Sequence, residues 1–285
     1  MLKQRVATAI VLLIVLALAL TLAAPWGFPL LAGGFVMAAV WEWLRLAGFA
    51  QAPALVAAVL VGGGLYALHV LGGATAATPA GRDPAMAGRI LMAIAALIWC
   101  ALAARLVLAR RFFGLTGQRP VLGAAGLLLV AACWVAMAGA YASGIVYLVS
   151  IMSLVWAADI AAYFAGRAFG RHKLAPAISP NKTWEGVAGG VVAVWLVAGV
   201  CAAVPALADS FYARALAALP LAGALALFTF LTGMSIVGDL FESHLKREAG
   251  VKDSSQLLPG HGGVLDRIDA LLPVLPLAVL IGQGW

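Results

Sequence analysis

The chain has 285 residues, 65% of them hydrophobic and 10% charged, and its 18 Lys and Arg outnumber 11 Asp and Glu for a net charge of +7. With a mean hydropathy of +1.06, this composition excludes a soluble globular protein and predicts an all-α, polytopic integral membrane protein. The positive charge reads as membrane topology and attraction to anionic headgroups, with no nucleic-acid partner.

In chain order, uncharged runs repeatedly exceed the roughly 20 residues that a helix needs to cross a bilayer. Val6 to Trp41 accommodates two crossings, broken at Pro25-Trp26-Gly27. Single spans follow at Ala54–Gly73 and Gly88–Leu108, and two more at Pro120–Ala158, broken within 139–144. Gly186–Ala206, Ala215–Gly238 and Val264–Gln283 complete about nine transmembrane helices. The first is read as retained: its apolar stretch is long for a signal core and a second span follows almost at once.

With a cytoplasmic N-terminus, Lys3, Arg5, Arg45, Arg105, Arg110, Arg111, Arg119, Arg167, Arg171, Lys173, Lys182, Lys246, Arg247, Lys252 and Arg267 all fall inside. Only Arg82, Arg89 and Arg214 fall outside, which is a strong positive-inside bias. Cys100, Cys133 and Cys201 lie within spans without metal-ligand spacing and read as small core residues. Trp26, Trp41, Trp43, Trp156, Trp184 and Trp285 read as an interfacial belt. Gly189-Gly190 and Gly62–Gly64 suit close helix packing. Glu42, at the inner end of the second span, is expected to pair with Arg45 or Arg105 and receives no catalytic role.

Nine of the eleven acidic residues follow position 158, all but Glu42 and Asp83. Residues 1–120 therefore read as N-terminal transmembrane scaffold. Residues 121–285 read as a catalytic membrane domain with cytoplasmic loops at 166–186 and 241–268. Asp159, about two turns before Arg167, reads equally as a functional carboxylate or half of an intramembrane ion pair. The first loop offers Ser179, Lys182 and Thr183 to a phosphate, and Lys182 is best placed because prolines and an expected helix cap fix its backbone. For Arg171 and Lys173 topology suffices.

Ser243 to Asp269 holds eight charged side chains, two histidines and four glycines in 27 positions. Mixed charge of this kind suits a polyanion arriving with a divalent metal. Ser235, Asp239, Glu242 and Lys246 form one helical stripe. Asp266 and Asp269 start the last helix, whose N-terminal dipole points at the same place. His261, Gly262 and Gly263 form a turn that lets backbone approach a phosphate. Two carboxylates from adjacent helix ends, with phosphate oxygens and water, would make an octahedral Mg²⁺ site. His261 is a substrate contact in this reading; His244 and His172 have weaker claims, and His69 is structural.

These residues resemble the phosphatidate cytidylyltransferases (CDP-diacylglycerol synthases). The pattern is carried by Ser243, Lys246, Arg247, Lys252, Asp253, Pro259, His261, Gly262, Gly263, Asp266, Arg267 and Asp269. Gly238-Asp239, Ile178–Gly186, and Asp159 with Tyr163 before Gly166-Arg167 also fit, so the likeness covers roughly residues 150–285. Asn181 departs from it, standing where a second lysine is expected. The resemblance implies that CTP and phosphatidate give CDP-diacylglycerol and pyrophosphate with Mg²⁺, one or two ions, and that Asp239 and Asp266 hold the metal. It is compatible with a homodimer and a place in the cell's inner membrane, with the active site facing the cytoplasm.

The chemistry needs little else. Phosphatidate, with a second pKa near ~6, is largely a dianion at neutral pH and attacks the α-phosphorus in line without a general base. Lys246, Arg247, Lys252, Arg267 and Lys182 would neutralise phosphate charge, and Asp253 and Asp269 would orient those cations. The alternatives are a CTP-dependent lipid-alcohol kinase, which would need a base, and an anionic-substrate transporter, which should show paired repeats.

Overall fold

The computed structural model describes residues 2–21, 27–70, 86–109, 112, 114 and 117–285, and of residues 2–7 and 9 the backbone alone. Pro25, Trp26, Arg82, Asp83, Arg110 and Arg111 lie outside the described residues, as do the side chains of Lys3 and Arg5.

The apolar runs become helices α1 (Leu2–Thr21), α2 (Gly27–Leu46), α3 (Gln51–Val70), α4 (Met86–Ala109), α5 (Arg119–Ala142), α6 (Ile145–Phe169) and α7 (Trp184–Ala203). After them come α8 (Phe211–Ala218), α9 (Leu221–Glu248), α10 (Leu265–Ile268) and α11 (Leu271–Gly282). Among the described residues seven of these, α2 to α7 and α9, are long and apolar enough to cross a membrane. Large apolar side chains cover the outside of the bundle: Leu97 is 72% exposed and Leu108 86%. That surface suits lipid and would aggregate in water.

The chain breaks between α5 and α6 at Ser143 and Gly144, where Gly144 adopts φ +123°. The expected span from Ala215 is shifted. Ala215 belongs to α8, and α9 begins only after Pro220, then runs on to Glu248 beyond the apolar run. The last expected span is divided, because α10 has four residues and α11 twelve. At ~1.5 Å per residue α11 spans about 18 Å, short of the hydrocarbon core of about 30 Å. It is buried from Leu271 to Val279, so its hydrophobicity comes from a place inside the protein.

Loop 166–186 carries a small antiparallel hairpin, β1 (Lys173–Ala175) with β2 (Ser179–Thr183), pairing Lys173 with Thr183 and Ala175 with Ser179. Thr183 ends it and caps α7, accepting the Gly186 amide at 3.1 Å. Close packing of α6 on α7 follows from glycine: a Cβ at Gly189 would lie 2.4 Å from the Ala165 Cβ, and one at Gly190 3.0 Å from the Ala158 carbonyl. Gly62 packs on Met37 in the same manner, whereas Gly63 and Gly64 face open space.

Trp43 departs from the expected belt. It is 1% exposed and donates to the Leu122 carbonyl at 2.9 Å, in space left by Gly126. Cys133 and Cys201 are buried, Cys100 is exposed, and all three are free. One hydrophobic core runs from α2 through α5, α6 and α9 to α11.

Candidate active site

Two lysine–carboxylate centres are built on the C-terminal part of α9, one with α10 and the other with the β1–β2 hairpin. In the first, Lys246 on the last turn of α9 reaches both Glu242 on its own helix and, at 2.6 Å, Asp266 on α10. Asp266 also accepts the Ser254 amide at 3.1 Å and the Gly263 amide at 2.8 Å. Burial opposes its charge, but hydrogen bonds from Glu242, Lys246 and Gly263 outweigh burial and hold its pKa down to about 2.

The turn supplying those amides is closed by Leu258 N–H donating to the Gly262 carbonyl and His261 N–H to the Leu258 carbonyl, both at 2.8 Å. Gly260 and Gly262 take φ of +76° and +83°, which L-residues rarely adopt. A Cβ at Gly262 would sit 2.6 Å from Asp266 Oδ2. His261 Nδ1 is buried without a hydrogen-bond partner.

In the second centre, Lys182 at the end of β2 contacts Asp239 at 2.5 Å, and the Ser243 hydroxyl donates to the same carboxylate at 3.3 Å. Gly238 explains the position of Asp239: a Cβ there would lie 2.4 Å from the Asp269 carbonyl, so α9 presses against the α10–α11 junction. Burial pushes the Asp269 carboxyl's pKa well above the usual range and the charge of Asp239 adds to it, while the Ala270 amide and Lys182 oppose. Asp159, Lys182 and Asp239 line a cavity of about 340 Å³ with Tyr163, Asn181 and Ile236, among helices α6, α7 and α9.

The other predicted residues are distributed around these centres. Arg247, Lys252, Asp253 and Arg267 are exposed, with Arg247 donating to the Val251 carbonyl at 3.4 Å. Asp253 backs the glycine turn, its Cβ 3.5 Å from where a Cβ of Gly262 would be. Ser179 is half-buried in β2. Thr183 is 5% exposed and its oxygen is engaged as the cap of α7. His172 lies 2.6 Å from Glu185, His69 meets the Trp134 ring edge-on, and His244 lies tilted against the Phe112 ring.

Glu42 is the residue that sequence reasoning misplaced. It pairs with neither arginine as expected; Arg45 turns to the Phe49 carbonyl. Glu42 is wholly buried and accepts four hydrogen bonds from the signature loop: Ser255 Oγ at 2.5 Å, Ser254 Oγ at 3.0 Å, Val264 N at 2.9 Å and Leu265 N at 2.6 Å. The signal was present, an acid at the end of an apolar run in a half of the chain nearly devoid of them; its partner lay over two hundred residues away.

Among the described residues no group of three or more His, Cys, Asp or Glu is arranged as a preformed metal centre. Asp239 and Asp266 nonetheless offer the hard carboxylate oxygens that a divalent cation takes, each engaged by a lysine.

A family model described as the cytidylyltransferase family matches residues 3–284. The chain is 41% identical to a phosphatidate cytidylyltransferase of Pseudomonas aeruginosa, covering 100% of this chain and 99% of that one. It is 38% identical to one of Haemophilus influenzae over 97% and 96% of the two chains, and 42% identical over 47% of its length to one of Bacillus subtilis, of which 46% is covered.

Proposed function

The chain belongs to the cytidylyltransferase family, and from that premise we propose that it transfers the cytidylyl group of CTP to phosphatidate, giving CDP-diacylglycerol and pyrophosphate. The observation that carries this reading is the pair of lysine–carboxylate centres on α9, Lys182–Asp239 and Lys246–Asp266, the first of them lining a cavity set among membrane helices. A phosphate on a lipid and a soluble triphosphate must meet at such a boundary.

Asp239 and Asp266 would hold Mg²⁺, which when bound supplies positive charge to the triphosphate and its leaving group. Lys182, projecting into the cavity, takes the phosphatidate headgroup while the acyl chains remain among α6, α7 and α9. Lys246, with the exposed Arg247, Lys252 and Arg267, receives the triphosphate from the aqueous side. The Gly262-Gly263 turn lets phosphate oxygens approach backbone, and His261 offers its unpartnered nitrogen to the same group. Asp253 and Asp269 orient these cations, and Ser243 steadies Asp239. The phosphatidate dianion attacks the α-phosphorus, the new P–O bond forms as the bond to pyrophosphate breaks, and no proton need be removed. The site faces the cytoplasm from the inner membrane.

The test is a detergent assay with purified protein, labelled CTP, Mg²⁺ and phosphatidate. Pyrophosphate release should require the lipid, cease on chelation and return with Mg²⁺. It should fall by about 10²-fold or more in Asp266→Asn. Phosphorylation of a lipid alcohol in place of CDP-diacylglycerol formation would overturn the reading in favour of a kinase.

A further inference from the structure

We propose that Glu42, on the second helix and outside the signature sequence, is a positioning residue for the active site, holding the 254–265 loop so that Asp266 and Lys246 are set for reaction. The inference rests on the reaction assigned above. A carboxylate with no exposure to solvent is costly unless fully hydrogen-bonded, and all four partners of Glu42 come from this loop. The same short segment divides its donors between two acids. Ser254 gives its hydroxyl to Glu42 and its amide to Asp266. Of three consecutive amides, Gly263 donates to Asp266 and Val264 and Leu265 to Glu42.

The fit is close enough to exclude a side chain at position 263: a Cβ there would lie 2.0 Å from Ser254 Oγ and 2.6 Å from Glu42 Oε1. Asp266 in turn fixes Lys246 at 2.6 Å. Glu42 thus acts on the reacting groups through the loop, and α2 contributes to the site.

The substitution Glu42→Gln keeps volume but turns an N–H₂ toward donors, so it should release the loop without emptying the core. Three measurements on the full-length protein in detergent decide the matter. The kcat should fall roughly tenfold or more while KM for phosphatidate stays within about twofold. The melting temperature without nucleotide should stay close to that of the parent, while the rise caused by Mg²⁺ with CTP is lost. Trypsin cleavage after Lys252 should accelerate at least about fivefold, reporting the loop in either nucleotide state. Glu42→Asp, which keeps the acceptors on a shorter arm, should recover part of each change. Parental kinetics and cleavage in Glu42→Gln would overturn the proposal. So would a fall in activity matched by a fall in melting temperature, with kcat unchanged per folded molecule. If the parent itself fails to turn over CTP and phosphatidate, the assigned reaction fails, while the cleavage rates still decide whether Glu42 holds the loop.

Discussion

At the scale of single residues, the site depends on how few atoms separate its acids from its backbone. Gly263 has space for no side chain between Ser254 and Glu42, and Gly262 combines φ +83° with an approach to Asp266. Gly263→Ala should therefore abolish measurable turnover, and Gly262→Ala should lower it and cost about 1–2 kcal/mol of stability from the backbone alone; steady-state kinetics and thermal melts check both. Lys182→Ala removes the cation that Asp239 contacts at 2.5 Å. It should reduce kcat/KM by about 10²-fold, and a value within twofold of the parent would remove Lys182 from the site. The sequence singled out this lysine by its capped, proline-bounded turn, and the fold sets it against Asp239. Thr183 was identifiable only as a hydroxyl; the fold shows its oxygen satisfying the α7 amide.

At the scale of elements, glycines determine which helices bring their charges together. The α6–α7 contact aligns Asp159 with Lys182 around one cavity, because Gly186 and Gly190 let α7 rest against the carbonyls of Ala162 and Ala158. Gly190→Val should overpack this contact, costing about 1–3 kcal/mol and lowering activity, whereas Gly63→Ala, which meets nothing within 4 Å, should change the melting temperature little. Comparison of the two in thermal melts separates helix packing from helix propensity. The packing role of Gly189-Gly190 was legible from composition. The short buried α11 was not, because an apolar run of this kind reads the same whether it faces lipid or protein.

At the scale of the whole molecule, the charged ends of α9, α10 and the hairpin, with Glu42 of α2, share one end of the bundle. If that end is cytoplasmic, Lys252→Cys in a background with Cys100, Cys133 and Cys201 replaced should react with an impermeant maleimide in inside-out membrane vesicles and not in right-side-out ones. The opposite pattern would invert the topology. Hydropathy, helix length and the spacing within Ser243–Asp269 are local properties, so the sequence alone established a polytopic helical membrane protein and carried its likeness to the family. Which lysine meets which carboxylate, the shift of α9 to begin after Pro220, and the reach of Glu42 across more than two hundred residues depended on how helices pack. Burial and hydrogen-bond satisfaction are set between distant segments, and only the tertiary structure decides them.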